Sequence, residues 1–190
     1  MIEIIRYLLA IALLIYSLFI LKTKSSKLKK IKAIFCIFVC LIISIMPFEN
    51  LFLKFDTPEN ALNYTMNDCE VVKIVEKSNT ALIIYKKDNS LETTLVIKSN
   101  QKWKLPFWPN DISLLRFDEN LLTIIIREKK SNNFYVLLSV NTNTKLITDN
   151  INSVFDEFSD SEIRNYYVTY VENCTGEYII DIDGNKYQII

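Results

Sequence analysis

Two almost wholly apolar runs with a lysine-rich segment between them constrain this chain more than any other feature. The first, IEIIRYLLAIALLIYSLFIL, covers residues 2–21. At 1.5 Å of rise per residue, twenty helical residues extend about 30 Å, the thickness of a bilayer's hydrocarbon core. The second, AIFCIFVCLIISIMPF, covers residues 33–48 and is about 24 Å long as a helix. Lys30 and Lys32 at one end, and LFLKF after Pro47 at the other, can lengthen its reach by snorkelling and added apolar length. Pro47 is expected to end or kink that helix.

Between the runs, KTKSSKLKKIK (22–32) places six lysines in eleven positions. A cleavable signal peptide would require a positive n-region, a shorter apolar core and a small-residue cleavage site. Here Arg6 is offset by Glu3, and LFILKTKSS offers no such site, so the first run is expected to be retained. Short loops rich in Lys and Arg stay in the cytoplasm. The expectation is a two-helix transmembrane hairpin over residues 1–54, with loop 22–32 cytoplasmic. The N-terminus and residues 55–190 then lie outside the cytoplasm, in a multi-pass protein of the cell membrane with the lipid bilayer as a partner.

Charge divides along the same line. The whole chain has 22 basic and 22 acidic residues. Residues 1–54 carry eight basic residues against Glu3 and Glu49, a net +6, so residues 55–190 carry −6. A basic membrane-proximal segment and an acidic remainder hide behind the zero sum.

Residues 55–190 are long enough to bury one core unaided. They open with FDTPENALNYTM, where Thr57 suits an N-cap, Pro58 the first helical turn and Glu59 the positive end of the dipole. A short helix to about Met66 is expected, resting at the membrane surface or covering the sheet that follows. The period then changes to two. Segments such as VVKIVEK, TALIIYKK, ETTLVIKS, LLTIIIREK, NFYVLLSV, RNYYVTYV and EYIIDID alternate with polar clusters such as KDNS, KSNQ, NTNT and DGN. That pattern predicts a mostly β domain, an antiparallel meander or sandwich. ALIIY and LLTIII are apolar on both faces and should be central strands covered on both sides. With only Gly176 and Gly184 available, asparagine must supply most turn positions of positive φ. A recurrence near 41–44 residues, beginning at NTALIIY, ENLLTIII and IRNYYVTYV, approaches the length of one propeller blade, but three units fall short of the usual four to eight. A meander of similar hairpins is the favoured reading.

The segments FDTPENA (Phe55, Thr57, Pro58, Glu59, Ala61), ALIIYK (81–86) and KWKL (102–105) resemble a group of small uncharacterised membrane-anchored proteins of low-GC Gram-positive bacteria. In that group F-x-T-P-E-x-A follows the membrane helix, and Thr80 stands where the pattern has a serine or another small polar residue. The resemblance covers roughly residues 55–107. It implies a cell-envelope location and supplies no activity.

Chemistry is sparse. The absence of histidine removes the commonest general base and zinc ligand. Two glycines cannot build a glycine-rich phosphate loop, and no nucleophile motif occurs. DIDGN (181–185) resembles part of a calcium loop but lacks the later ligands; an Asp-Gly hairpin turn is the favoured reading. No catalytic, cofactor-binding or metal-binding residue is assigned, and no cofactor is expected.

Cys36 and Cys40 lie in the second apolar run. Cys69 and Cys174 stand near the two ends of the outer domain, either bonded across a loop of about a hundred residues, worth about 4–5 kcal/mol, or as two separate buried thiols. The loop KWKLPFWPND (102–111) concentrates Trp103, Leu105, Phe107 and Trp108 around Pro106 and Pro109. Proline discourages strand pairing and tryptophan favours interfaces, so these four are the candidate partner contacts; a plug at one end of the β core is the other reading. The expected function is a non-catalytic envelope protein, a binding or assembly module at the outer membrane face and an accessory subunit of a membrane complex. It has a protein partner and no nucleic acid. The alternative is a carboxylate-based envelope hydrolase, since two acids suffice for such chemistry.

Overall fold

The computed structural model describes residues 2–23, 26–45, 48–66, 68–106, 111–117, 121–128, 131–141, 143–144, 146–159 and 164–190. Two antiparallel-packed helices come first, α1 (Ile2–Lys22) and α2 (Lys27–Ile45). Their contact is built on small side chains at seven-residue spacing: Ala10 and Ser17 on α1, Ala33 and Cys40 on α2, all buried. Residues seven apart return to one helix face, and small ones let two backbones approach closely.

Among the described residues no helix is long and apolar enough to cross a membrane. This corrects the two-span transmembrane reading and the multi-pass location drawn from it, including the placement of the N-terminus and the C-terminal domain outside the cytoplasm by that topology. In α2 four of the first six residues are lysines. Its apolar run therefore begins at Ala33 and reaches Ile45, about 20 Å, against the roughly 30 Å of a hydrocarbon core.

A 3-10 turn, Phe48–Leu51, leads on to α3 (Pro58–Thr65). The Thr57 hydroxyl accepts from the Asn60 N–H at 3.2 Å, with Pro58 and Glu59 in the first turn, as the sequence predicts. Among the described residues twelve strands follow: β1 (Glu70–Glu76), β2 (Thr80–Lys87), β3 (Ser90–Ser99), β4 (Lys102–Lys104), β5 (Asp111–Arg116), β6 (Leu122–Arg127), β7 (Phe134–Asn141), β8 (Ile147–Asp149), β9 (Asp156–Ser159), β10 (Arg164–Val171), β11 (Ile179–Ile182) and β12 (Asn185–Gln188). They form three antiparallel sheets, in the orders β1-β2-β3-β4, β5-β6-β7-β10-β9 and β12-β11-β8.

The sheets stack face to face under α3, and alternation along each strand decides which layer each side chain enters. Ala81, Ile83, Tyr85 and Val96 of the first sheet meet Ala61 and Leu62 of α3. From the opposite face, Leu82, Ile84 and Leu95 meet Ile126, Tyr135, Leu137 and Val168 of the second sheet. The far face of the second sheet, with Ile125, Val136 and Leu138, meets Tyr178, Ile180 and Ile182. So β2 and β7 are covered on both sides, which is why ALIIY and FYVLL carry no polar alternation.

Asparagine and aspartate do the work of glycine in the turns. Two-residue turns at Asp88–Asn89, Asn100–Gln101 and Asp183–Gly184 connect paired strands, with φ of +48° and +64°, +53° and +62°, and +50° and +88°. Both central residues being left-handed is the hairpin geometry that matches strand twist. Gln101 lacks the short side chain that makes this region tolerable. Gln101→Gly is expected to stabilise the fold by about 0.5–1 kcal/mol, and Gln101→Val to destabilise it by about 1 kcal/mol. Urea midpoints at unchanged slope check both.

The 41–44-residue recurrence does not build blades. In its first unit β4 completes the sheet of β2 and β3. In its second unit β8 leaves β7 to pair with β11, and β10 takes the edge of β7 instead.

Candidate functional site

The interface between the first and second sheets has a closed end and an open end. At the closed end Glu128 gathers hydroxyls and amides from three parts of the chain. Its Oε1 accepts from the Thr80 hydroxyl and, at 2.9 Å, from the Tyr170 hydroxyl. Oε2 accepts from Asn133 Nδ2 at 3.1 Å and from the Ser131 hydroxyl at 3.2 Å. A threonine hydroxyl has one proton to give. Since Thr80 donates it to Glu128, the Tyr135 hydroxyl, 2.9 Å away, is the donor to Thr80. The rings of Tyr135 and Tyr170 sit 4.6 Å apart, and the Lys77 ammonium lies 5.3 Å from the Tyr170 ring. This end is a satisfied polar clasp joining the β1–β2 turn to β6, β7 and β10.

Phenol–carboxylate pairing recurs elsewhere. Tyr85 donates to Glu92 at 2.8 Å, Tyr178 to Asp149 at 2.7 Å and Tyr167 to Glu157 at 3.0 Å. Burial and the adjacent carboxylate raise each of these phenols, and they push Tyr170 up to about 12. Burial raises Tyr135 too, helped by the charge of Glu128. At Asp149 burial works upward, but hydrogen bonds from Ser153, Tyr178 and Ile151 outweigh it and hold the carboxyl below its usual range. A phenol raised on folding stabilises the native state fully below its unfolded value near 10, and that stability is lost as pH rises through the folded value. For Tyr170 the window runs from about 10 to about 12. Tyrosinate absorbance is therefore expected to lag behind free tyrosine and to rise together with loss of near-ultraviolet circular dichroism. Independent, early ionisation with the fold intact would contradict the pairing.

At the open end, the inner face of the second sheet extends beyond the tip of the first and leaves a cleft of about 290 Å³. Leu91 of β3 forms one wall; Leu122, Ile124 and Leu137 form the floor. Arg164 and Tyr166 on β10 line it too, and the Arg164 Nη1 donates to the buried Ser139 hydroxyl at 3.1 Å. Strand pairing sets Arg116 opposite Leu122, on the same face of the sheet.

The residues singled out in sequence scatter across the layers. Trp103 is 3 % exposed and packs with Leu105 beneath α3; its backbone exchanges both hydrogen bonds with Phe55 at 2.8 Å. Trp103 and Leu105 both help to cover this face of the first sheet together with α3, the core-plug arrangement that is the other reading of this loop. Phe107 and Trp108 lie outside the described residues. Cys69 and Cys174 are free thiols, the arrangement of the two-thiol alternative. Cys69 packs in the α3-facing cluster and Cys174 against the third sheet's core, so two sheets separate them. DIDGN is a hairpin turn, with the Gly184 N–H donating to Asp181 Oδ1 at 2.8 Å. Asp68, Glu70 and Asp88 line an open hollow beside Lys86; among the described residues no group of three His, Cys, Asp or Glu can share a metal ion.

Sequence reasoning did not find the clasp or the cleft. Glu128 and Arg164 each stand at a strand end, where charged residues are ordinary, and only the stacking of sheets gives them neighbours. No family model, curated protein or solved structure matches the chain.

Proposed function

We propose that the protein is a non-catalytic binding or assembly module, an accessory subunit of a larger protein complex that docks through its helical hairpin. One observation supports this reading above the rest. The outward side chains of α1 and α2 are largely apolar and exposed: Ile15 by 63 %, Phe19 by 67 %, Phe35 by 65 %, with Leu8, Ile11 and Phe38 beside them in the same state. Monomers in water rarely leave contiguous apolar patches larger than a few hundred Å² uncovered. The acidic β layers, by contrast, are fully furnished with cores of their own. The partner suited to this surface is a protein with an apolar helical groove or helix pair of its own, recognised at i, i+3, i+4 and i+7 positions.

The test uses the full chain in its native cells. The double substitution Ile15→Lys and Phe19→Lys, with a control at the exposed Asn63, is followed by cross-linking and sizing of the native complex. The expected result is loss of the larger species in the first variant alone, with helix content by circular dichroism retained. A complex of unchanged size in both variants would overturn the reading.

A further inference from the structure

We infer that the groove between α1 and α2 at the lysine-rich end of the hairpin is a binding site for an amphiphile with a phosphate monoester head, held by Lys29 and Lys32. The cavity there measures about 580 Å³, space for roughly twenty water-sized groups at about 30 Å³ each and within the usual range for small-molecule sites. Its shape follows from the helix period. Tyr16, Phe19 and Ile20 on α1 stand at i, i+3 and i+4, and Lys29, Lys32, Ala33 and Cys36 on α2 stand at i, i+3, i+4 and i+7. Each helix therefore turns one face to the groove. The small, buried Ser17 and Ala33 set its floor. Tyr16 and Phe19, 61 % and 67 % exposed, rise beside that floor as apolar walls, so the bulk of a suitable ligand is apolar.

The polar end of the groove is positive. Among the described residues no acidic side chain lines it, and neither Lys29 nor Lys32 has a hydrogen-bond or ion-pair partner. The first turn of α2 holds no acidic residue, which leaves the positive end of the helix dipole uncompensated. Ammoniums three residues apart on one helix repel each other. A phosphate monoester carries close to two negative charges at neutral pH and matches both, whereas a carboxylate leaves one of them unmatched. The floor supplies a separate observation. Ser17 Oγ is fully buried and has no hydrogen-bond partner among the described residues, an arrangement that is costly until something completes it. An oxygen of the bound head group is the acceptor it lacks.

Octyl phosphate, with thirteen non-hydrogen atoms, is the probe, used as a monomer. Titration of the full chain, followed by amide shifts in a ¹⁵N-labelled sample, is expected to give Kd on the order of 0.1–1 mM. The largest shifts should fall at Ser17, Ile20, Lys29 and Ala33. Octanol, with the chain and no charge, and inorganic phosphate, with the charge and no chain, should each bind at least about tenfold more weakly. Lys29→Gln combined with Lys32→Gln should lower octyl phosphate to the octanol level while leaving octanol unchanged. Cys36→Trp, which fills the groove, should abolish both; the lysine variant stands alone if that one does not fold. Equal affinity for octyl phosphate and octanol would overturn the assignment, as would octyl phosphate binding untouched by the lysine variant. Inorganic phosphate binding as tightly as octyl phosphate would reduce the site to a surface anion contact and overturn it. Unsaturable shifts spread over the outward side of both helices would overturn it too, by showing detergent-like coating. Assembly through the hairpin is read separately by the Ile15 and Phe19 substitutions, so either reading stands or falls without the other.

Discussion

Glu128→Ala is expected to lower the stability of the folded chain by about 3 kcal/mol, and Glu128→Gln by about 1 kcal/mol. The alanine variant leaves four donors without their acceptor: the hydroxyls of Thr80, Tyr170 and Ser131 and the amide of Asn133. Each hydrogen bond to a charged group contributes about 1.5–3 kcal/mol, but the site is only partly buried, so water recovers some of the loss. The Thr80 hydroxyl lies inside the buried corner with Tyr135, where water enters least, and carries most of the penalty. Glutamine keeps an acceptor oxygen for the hydroxyls and gives up the charge assistance. Chemical denaturation of the three proteins checks both values. Equal midpoints for wild type and Glu128→Ala would show that the clasp does not hold the first and second sheets together.

Trp103→Ala is expected to cost about 4 kcal/mol, the upper part of the range for deleting a large buried aromatic side chain. At roughly 2–4 °C of Tm per kcal/mol for a chain of this size, thermal unfolding should move down by about 8–16 °C. Trp103 fills the space between α3 and the first sheet with Leu62, Ala81 and Val96, and Lys98 lies 4.9 Å over its ring. A Tm shift with the native assembly preserved confirms a core residue. Loss of a partner at unchanged Tm would return Trp103 to the surface role that its proline-rich setting suggests.

The β domain was legible in strings of two-residue period, because alternation is a local consequence of strand geometry and survives without knowledge of partners. The turn chemistry was legible for the same reason: Asp88, Asn89, Asn100 and Asp183 adopt positive φ in a chain too poor in glycine to do otherwise. Thr57-Pro58-Glu59 marked the start of α3 through caps that involve neighbours within four residues. ALIIY correctly announced a strand covered on both faces, whereas LLTIII, read the same way, leaves Leu122 and Ile124 half-buried at the floor of the cleft.

The failures share a physical cause. An apolar run states that side chains need burial, but not in what. The second run covers 33–48 in the sequence, while α2 ends at Ile45 and keeps only 33–45 of it, and among the described residues no helix is long and apolar enough to cross a membrane. Trp103 and Leu105 looked exposed because proline follows them, yet Phe55 returns to pair with Trp103 and α3 covers the face. Cys69 and Cys174 were a possible pair only while their layers were unknown.

By itself, then, the sequence determined the strand-forming segments, the hairpin turns, the capped helix and the two apolar helices, all of which rest on contacts within a few residues. The tertiary structure alone decided which sheet each strand joins, that β10 and not β8 lies beside β7, and that Glu128 meets Thr80 while Arg164 overlooks an uncovered floor. Those outcomes depend on which apolar faces bury one another between segments far apart in the chain, such as Thr80 and Glu128 at a separation of 48 residues, and an alternating strand offers its apolar face equally to any sheet that can cover it.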